Sequence, residues 1–208
     1  MPEAVSTTQI LILWGVIGYL AGSIPSGMIL ARVMKLGNLR EIGSGNIGAT
    51  NVLRTGNKKA AALTLLFDAL KGLIVIFVAR QLAAEDAAQL AGLMAFLGHC
   101  FPLWLMFRGG KGVATYFGVI FALSWQMGIA AALIWLSVAA VSRYSSLAAL
   151  MTAGWLPVVV GFTGNGKMFV LSAVLCILVY ARHIGNIQRL RKGTETKIGA
   201  KKDQAASS

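Results

Sequence analysis

"EIGSGNIGATN", residues 41–51, carries Gly-x-Gly-x-x-Gly at Gly43, Gly45 and Gly48, and its reading decides the fold. Between a strand and a helix this spacing marks a dinucleotide-binding α/β domain, with an acidic residue about twenty positions on to hold a ribose. Asp68 stands at that offset from Gly48. It lies, however, inside the apolar run "ALTLLFDALKGLIVIF", residues 62–77, not at a strand tip. The stretch before the loop is a second long apolar run, and no βαβ alternation follows. The nucleotide reading therefore fails on context, and the loop joins two membrane helices.

Composition agrees. Of 208 residues, 57% are hydrophobic and only 12% charged, with a mean hydropathy of +0.72. A soluble domain carries about 25% charged residues. About twenty residues of helix cross a bilayer's hydrocarbon core. The first candidate, 9–34, is interrupted at Ser23-Ile24-Pro25-Ser26-Gly27, where proline kinks a helix. Further apolar runs fall at 60–80, 88–107, 113–124, 127–141, 147–162 and 168–181. The expectation is an all-α integral membrane protein of seven transmembrane helices, some short or kinked, with 113–141 as two short helices. It forms one domain over 1–198, followed by a disordered polar tail at 199–208. "MPEAVSTTQ" has no Lys or Arg, so the first segment is expected to stay as a helix rather than be cleaved.

The formal charge is +12. Nucleic-acid binding would need a basic soluble face, whereas here Lys and Arg lie at the ends of apolar segments. With the N-terminus outside and the C-terminus cytoplasmic, every Lys and Arg except Arg80, Lys167 and the intrahelical Lys71 falls inside, as membrane topology favours. Cys100 and Cys176 read as buried free thiols. With His99 and His183 the only histidines, no zinc constellation exists, and no metal or other cofactor is expected.

Three polar patches share the inner side. The first, "GSGNIGATNVLRTG", offers Ser44, Gly45, Asn46, Thr50 and Asn51 as donors and Arg54 as a cation that takes phosphate bidentately. The second, "FRGGKGVAT", sets Gly109, Gly110, Lys111, Gly112 and Thr115 at a helix start, where free N–H groups favour anions. It is no Walker A loop: the first glycine's position is Leu105, and Gly112 follows the lysine. The third, "YARHIGNIQRLRKGTETK", places His183 and Asn186 on one helical face. Ser145 and Ser146 follow Arg143 as caps of the sixth helix, within reach of the same cavity. Deeper, Asp68 and Lys71 form an i, i+3 pair, read as an ion pair that orders the site.

These groups suit phosphate-bearing ligands. Neither histidine is followed five residues on by Asp, since Trp104 and Gln188 stand there. A His–Asp dyad is thereby excluded. A carrier of organic phosphates is the alternative, since interrupted helices and buried charges suit transport too. Against it, the polar groups crowd one face and no inverted repeat is visible.

"GSIPSG", "REIGSGNIGATNVLRTG", "FRGGKGVAT" and "RHIGNIQRLRKGTETK" together resemble the successive motifs of the bacterial acyl-phosphate:glycerol-3-phosphate acyltransferases, the PlsY family, from about Gly22 to Lys197. Asn38 and Arg108 stand where that family often has Asp and Lys. The resemblance implies a seven-helix enzyme of the bacterial inner membrane with its active site on the cytoplasmic side. It would transfer a fatty acyl group from acyl phosphate to the 1-hydroxyl of glycerol 3-phosphate, giving lysophosphatidic acid and inorganic phosphate. Its partners would be these substrates and membrane lipids, with no nucleic acid and no stable protein partner. The expected division is Lys111, the Gly109–Gly112 amides and Thr115 on one phosphate. Arg54, Ser44, Asn46, His183 and Asn186 take the other and place the hydroxyl. Which phosphate goes where stays open. So does the base: an acyl phosphate oxygen, because no carboxylate is well placed, or His183.

Overall fold

Small residues set how the helices meet. In the computed structural model, which describes residues 2–163 and 166–199, α1 (Thr8–Gly22) packs against α5 (Glu85–Cys100). A Cβ at Gly18 would overlap the Ala91 carbonyl, and one at Gly22 the Ala95 carbonyl. Lipid supplies no hydrophobic drive between helices, so such close backbone approach, through van der Waals packing, holds them together. The same logic seats α6 (Val113–Leu123) on α4 (Lys58–Leu82), where a Cβ at Gly118 would overlap the Ala69 carbonyl. Phe96, Ile76, Val119, Ile120 and Leu175 fill the centre. Ile12, Leu66, Phe77, Leu136 and Ile177 face outward, as lipid-facing side chains do.

The remaining helices are α2 (Ser26–Val33), α3 (Ala49–Leu53), α7 (Trp125–Ser142), α8 (Ser145–Phe162), α9 (Gly166–Arg182) and α10 (Ile184–Arg191). No strand occurs among the described residues. Five segments are long and apolar enough to span a bilayer: Thr8–Val33, Lys58–Leu82, Glu85–Leu105, Trp125–Ser142 and Ser145–Phe162. A sixth appears if α9 and α10, bent by 61°, are one span. The seventh expected span, 113–124, is the 11-residue α6. At about 1.5 Å per residue it reaches about half the hydrocarbon thickness. As expected, 113–141 divides into two helices, and Ser124 caps the second through Met127 N.

Two expectations are corrected. The loop expected to join the first two membrane helices contains the short helix α3, and α4 begins at Lys58 under the side-chain cap of Asn57. Ser145 and Ser146 do not cap α8. Tyr144 is the N-cap residue, without a side-chain bond, because Ser145 meets Thr50 Oγ1 at 3.2 Å and Ser146 donates to Glu195 at 2.7 Å. The polar tail expected from 199 onward lies outside the described residues except for Gly199 itself.

The break between α1 and α2 falls where proline was expected to place it, and its freed carbonyls are taken up. Lys71 Nζ donates to Gly22 O at 3.2 Å and Ile24 O at 2.8 Å, and Trp104 Nε1 donates to Ser23 O at 2.8 Å. At the far end of the bundle Arg80 pairs with Glu85 at 2.7 Å, and Asp86 holds Ser6. The three polar patches gather at the opposite end.

Candidate functional site

Asn51 organises the first patch. Its Oδ1 accepts from Ser44 N at 3.0 Å, Ser44 Oγ at 3.3 Å and Arg54 Nη1 at 3.4 Å, while Nδ2 donates to Leu39 O and Asn46 O. Every polar atom of that amide is in use and the residue is buried. It is a hub of the loop, not a ligand. Asn46 Oδ1 likewise accepts from Gly48 N at 3.0 Å, and Gly45 bonds Ile42 O and Arg40. Gly43 and Gly45 adopt φ of +54° and +66°, a region that costs other residues steric energy. Ser44 and Thr50 are exposed and Arg54 partly so, and these side chains can turn to a ligand from the bonds they make within the protein.

The second patch is held from outside. Gly109 N donates to Cys100 O at 3.1 Å and Gly110 N to His99 O at 3.0 Å. Their carbonyls accept from the Arg182 guanidinium at 3.0–3.4 Å, itself stacked 4.9 Å over Phe101. The Gly109 and Gly110 amides, expected on a phosphate, are therefore consumed in building the loop. Thr115 is corrected too: it is fully buried and donates to Asp68 O at 2.8 Å. Lys111 and the first amides of α6, which have no helical acceptor, remain for an anion. Gly112 has φ +81°, and a Cβ there would overlap the Phe96 ring.

The third patch closes the site. His183, at the bend between α9 and α10, contacts Val179 O through Nδ1 at 2.8 Å. A carbonyl only accepts, so Nδ1 carries the proton and Nε2 is left as an acceptor. Asn186 Oδ1 accepts from Lys111 Nζ at 2.6 Å, and its Nδ2 donates to Glu195 Oε1 at 2.5 Å. Glu195 also accepts from Ser146 and, at 2.7 Å, from Arg189 Nε. An unbroken chain of contacts thus runs Lys111–Asn186–Glu195–Ser146, with Arg189 on its flank. Arg54 lies within the electrostatic reach of Lys111 and Glu195.

Electrostatics sharpen these roles. Burial pulls Lys111 down to about 8, with Glu195 opposing and Arg189, Arg54 and Arg182 assisting. Burial, helped by Lys111, lowers His183 to about 4, so it is neutral near pH 7. Burial alone would raise Glu195, but the hydrogen bonds from Ser146, Asn186 and Arg189 outweigh it and hold the carboxyl below its ordinary range. Cations exceed this one carboxylate, and the site fits phosphate groups.

Glu195 and Arg189 were not among the expected site residues. The available signal was a lone acid inside the cationic run "RLRKGTETK", within a motif already matched to the family.

Comparison with known proteins bears on all of this. A family model described as glycerol-3-phosphate acyltransferase matches residues 12–193. A curated glycerol-3-phosphate acyltransferase of Dinoroseobacter shibae is 56% identical over 202 residues, covering 97% of this chain and all of its own. One from a Ruegeria species is 59% identical over 201 residues with the same coverage. The crystal structure of PlsY, an integral membrane glycerol 3-phosphate acyltransferase, in its glycerol 3-phosphate form superposes with a TM-score of 0.86. It is 36% identical, over 91% of this chain and 96% of that one. Its lysophosphatidic acid form gives 0.82 at 34% identity, over 91% and 95%. A match that spans the four sequence motifs, the helical bundle and the polar end that unites them leaves one assignment: this chain belongs to the glycerol-3-phosphate acyltransferase family of integral membrane proteins.

Proposed function

We propose that this chain transfers a fatty acyl group from acyl phosphate to the sn-1 hydroxyl of glycerol 3-phosphate, releasing inorganic phosphate and lysophosphatidic acid. The carrying observation is the convergence of Lys111, Arg54, Arg189, Asn186 and Ser146 around one end of the bundle. Such a cluster suits two phosphates held side by side. The lysophosphatidic acid and glycerol 3-phosphate forms of the PlsY neighbour support the acceptor and product. Lys111 with the α6 N-terminus takes one phosphate, and Arg54 and Ser44 take the other. The whole of 1–198 is one catalytic domain. It sits in the inner membrane with seven segments, α6 the short one, N-terminus outside and site cytoplasmic, as the distribution of Lys and Arg favours.

In the reaction the glycerol hydroxyl oxygen bonds to the acyl carbon, the acyl carbon–phosphate oxygen bond breaks, and the hydroxyl proton leaves with phosphate. Because the leaving group is good, alignment supplies most of what is needed. Glu195 puts a carboxylate at the site, where none was expected. Its oxygens are already engaged by Ser146, Asn186 and Arg189, which makes it a weak base. His183, lowered to about 4, is also a weak base but a sound acceptor at Nε2 for orienting the hydroxyl. The acyl phosphate oxygen remains the proton's destination. Purified protein in detergent, given an acyl phosphate and glycerol 3-phosphate, should release phosphate only with both present. Absence of glycerol 3-phosphate-dependent release would overturn the reading.

A further inference from the structure

A buried polar group that takes no part in phosphate binding lies between the α1–α2 break and the second glycine loop. Lys71 Nζ is paired with Asp68 Oδ1 at 2.6 Å and meets His99 Nδ1 at 3.1 Å. All three residues are buried. Ionisable groups inside a span are costly and persist where they do something specific. Here the surroundings say what.

On one side the group anchors the α1–α2 break. Lys71 takes the Gly22 and Ile24 carbonyls, and Trp104, from the segment leading to the second loop, takes the Ser23 carbonyl between them. Beyond the break, α2 seats the first loop. A Cβ at Gly27 would overlap the Ile47 carbonyl, and Ala31, Leu39 and Val52 pack together. On the other side the group carries the second loop. The His99 ring lies directly under Gly110, with no room for a Cβ, and the His99 carbonyl accepts from Gly110 N. Thr115, at the start of α6, bonds the carbonyl of Asp68 itself. Both loops therefore take their position from one anchor.

We propose that Asp68, Lys71 and His99, with Trp104, form a positioning unit that sets the separation of the two anion-binding loops. The inference rests on the acyl-transfer reading above. The unit touches neither substrate. It governs how the hydroxyl lies against the acyl carbon once both are bound, so it acts on kcat rather than on either KM. A misplacement of about 1 Å far from the chemistry costs on the order of a hundredfold.

The test uses the full chain in detergent with acyl phosphate and glycerol 3-phosphate. The Asp68→Asn, Lys71→Met double variant removes both charges together and strands neither. Its kcat should fall about a hundredfold with both KM values within about threefold of the parent. Backbone amide exchange should quicken in both loops, 43–48 and 109–112. Unchanged kcat in a folded variant, a rise in KM alone, or exchange that quickens in one loop only would each overturn the proposal. Should that variant not fold, Trp104→Phe serves, since Trp104 is 50% exposed and loses only the bond to Ser23. It should lower kcat about threefold to tenfold at unchanged KM, and an unchanged kcat would overturn the proposal. Failure of the parent enzyme itself to release phosphate would instead strike the acyl-transfer reading, while the exchange result would still decide the coupling.

Discussion

The two glycine loops of the site look alike as sequence and are held by opposite means. Loop 43–48 is organised from within its own neighbourhood, by Asn51 a few residues on. Loop 109–112 is organised from without, by the His99 ring below, Arg182 above and Phe96 behind. A loop that makes its own bonds leaves side chains such as Ser44 and Arg54 to face a ligand. A loop clamped by neighbours spends its amides on them and presents one long side chain, Lys111. Glycine serves the first mainly through positive φ and the second mainly through absence of bulk.

The largest expected effect isolates the presented group. Lys111→Ala should lower kcat/KM by about two to three orders of magnitude, as removal of one preorganised donor to a developing or transferred charge does. Thermal stability should stay near that of the parent, because among the described residues the ammonium makes one hydrogen bond, to Asn186. Retained activity would show that the second loop is structural alone. Next, Gly110→Ala forces a methyl into the His99 ring and should cost about a hundredfold in kcat. Gly48→Ala, at negative φ with only Asn46 Oδ1 at 3.4 Å, should stay within about threefold. Equal sensitivity of the two would collapse the distinction between the loops.

Asn51→Ala tests the self-organised loop. It leaves Ser44 N and the Leu39 and Asn46 carbonyls without their partner. Each unsatisfied buried group costs about 1–3 kcal/mol, softened here by water at the loop surface. The expected result is about a tenfold rise in KM for one substrate, with thermal unfolding of the bundle shifted less than by Gly110→Ala. A measured kcat loss with unchanged KM values would mean that Asn51 supports Lys111 rather than its own loop.

Much of this was legible in the residues, but unevenly. Apolar run lengths located every long helix, and Pro25 located the break, because backbone and solvent physics act locally. Which face of each helix points inward was not legible, since lipid-facing side chains such as Leu66 and Ile177 are as apolar as the core residues Ile76 and Leu175. The motifs named the right region while mixing ligands with scaffold. Ser44 and Asn51, or Lys111 and Thr115, sit together in sequence and do different work. Thr115 serves Asp68, 47 positions away, and Ser146 serves Glu195, 49 away. Partners at such separations are settled by helix packing, which spacing rules do not reach.

The pH profile separates the two loops' partners across the site. Lys111 belongs to the clamped loop and is lowered to about 8 by burial. Its charged form binds phosphate, so kcat/KM should fall above about pH 8, roughly tenfold per unit, and Lys111→Arg should move that limb upward. His183 sits opposite, lowered to about 4 by burial and by Lys111, with Nδ1 committed to Val179. It cannot supply an acid limb between pH 5 and 7, where it is already neutral. A phosphate monoester loses its second proton near pH 6, so any acid limb there belongs to substrate. His183→Gln should therefore lower kcat by about tenfold to a hundredfold while leaving the position of that limb where it was. If the limb vanished with the imidazole, His183 would be the base, and an acyl phosphate oxygen would no longer be the proton's destination.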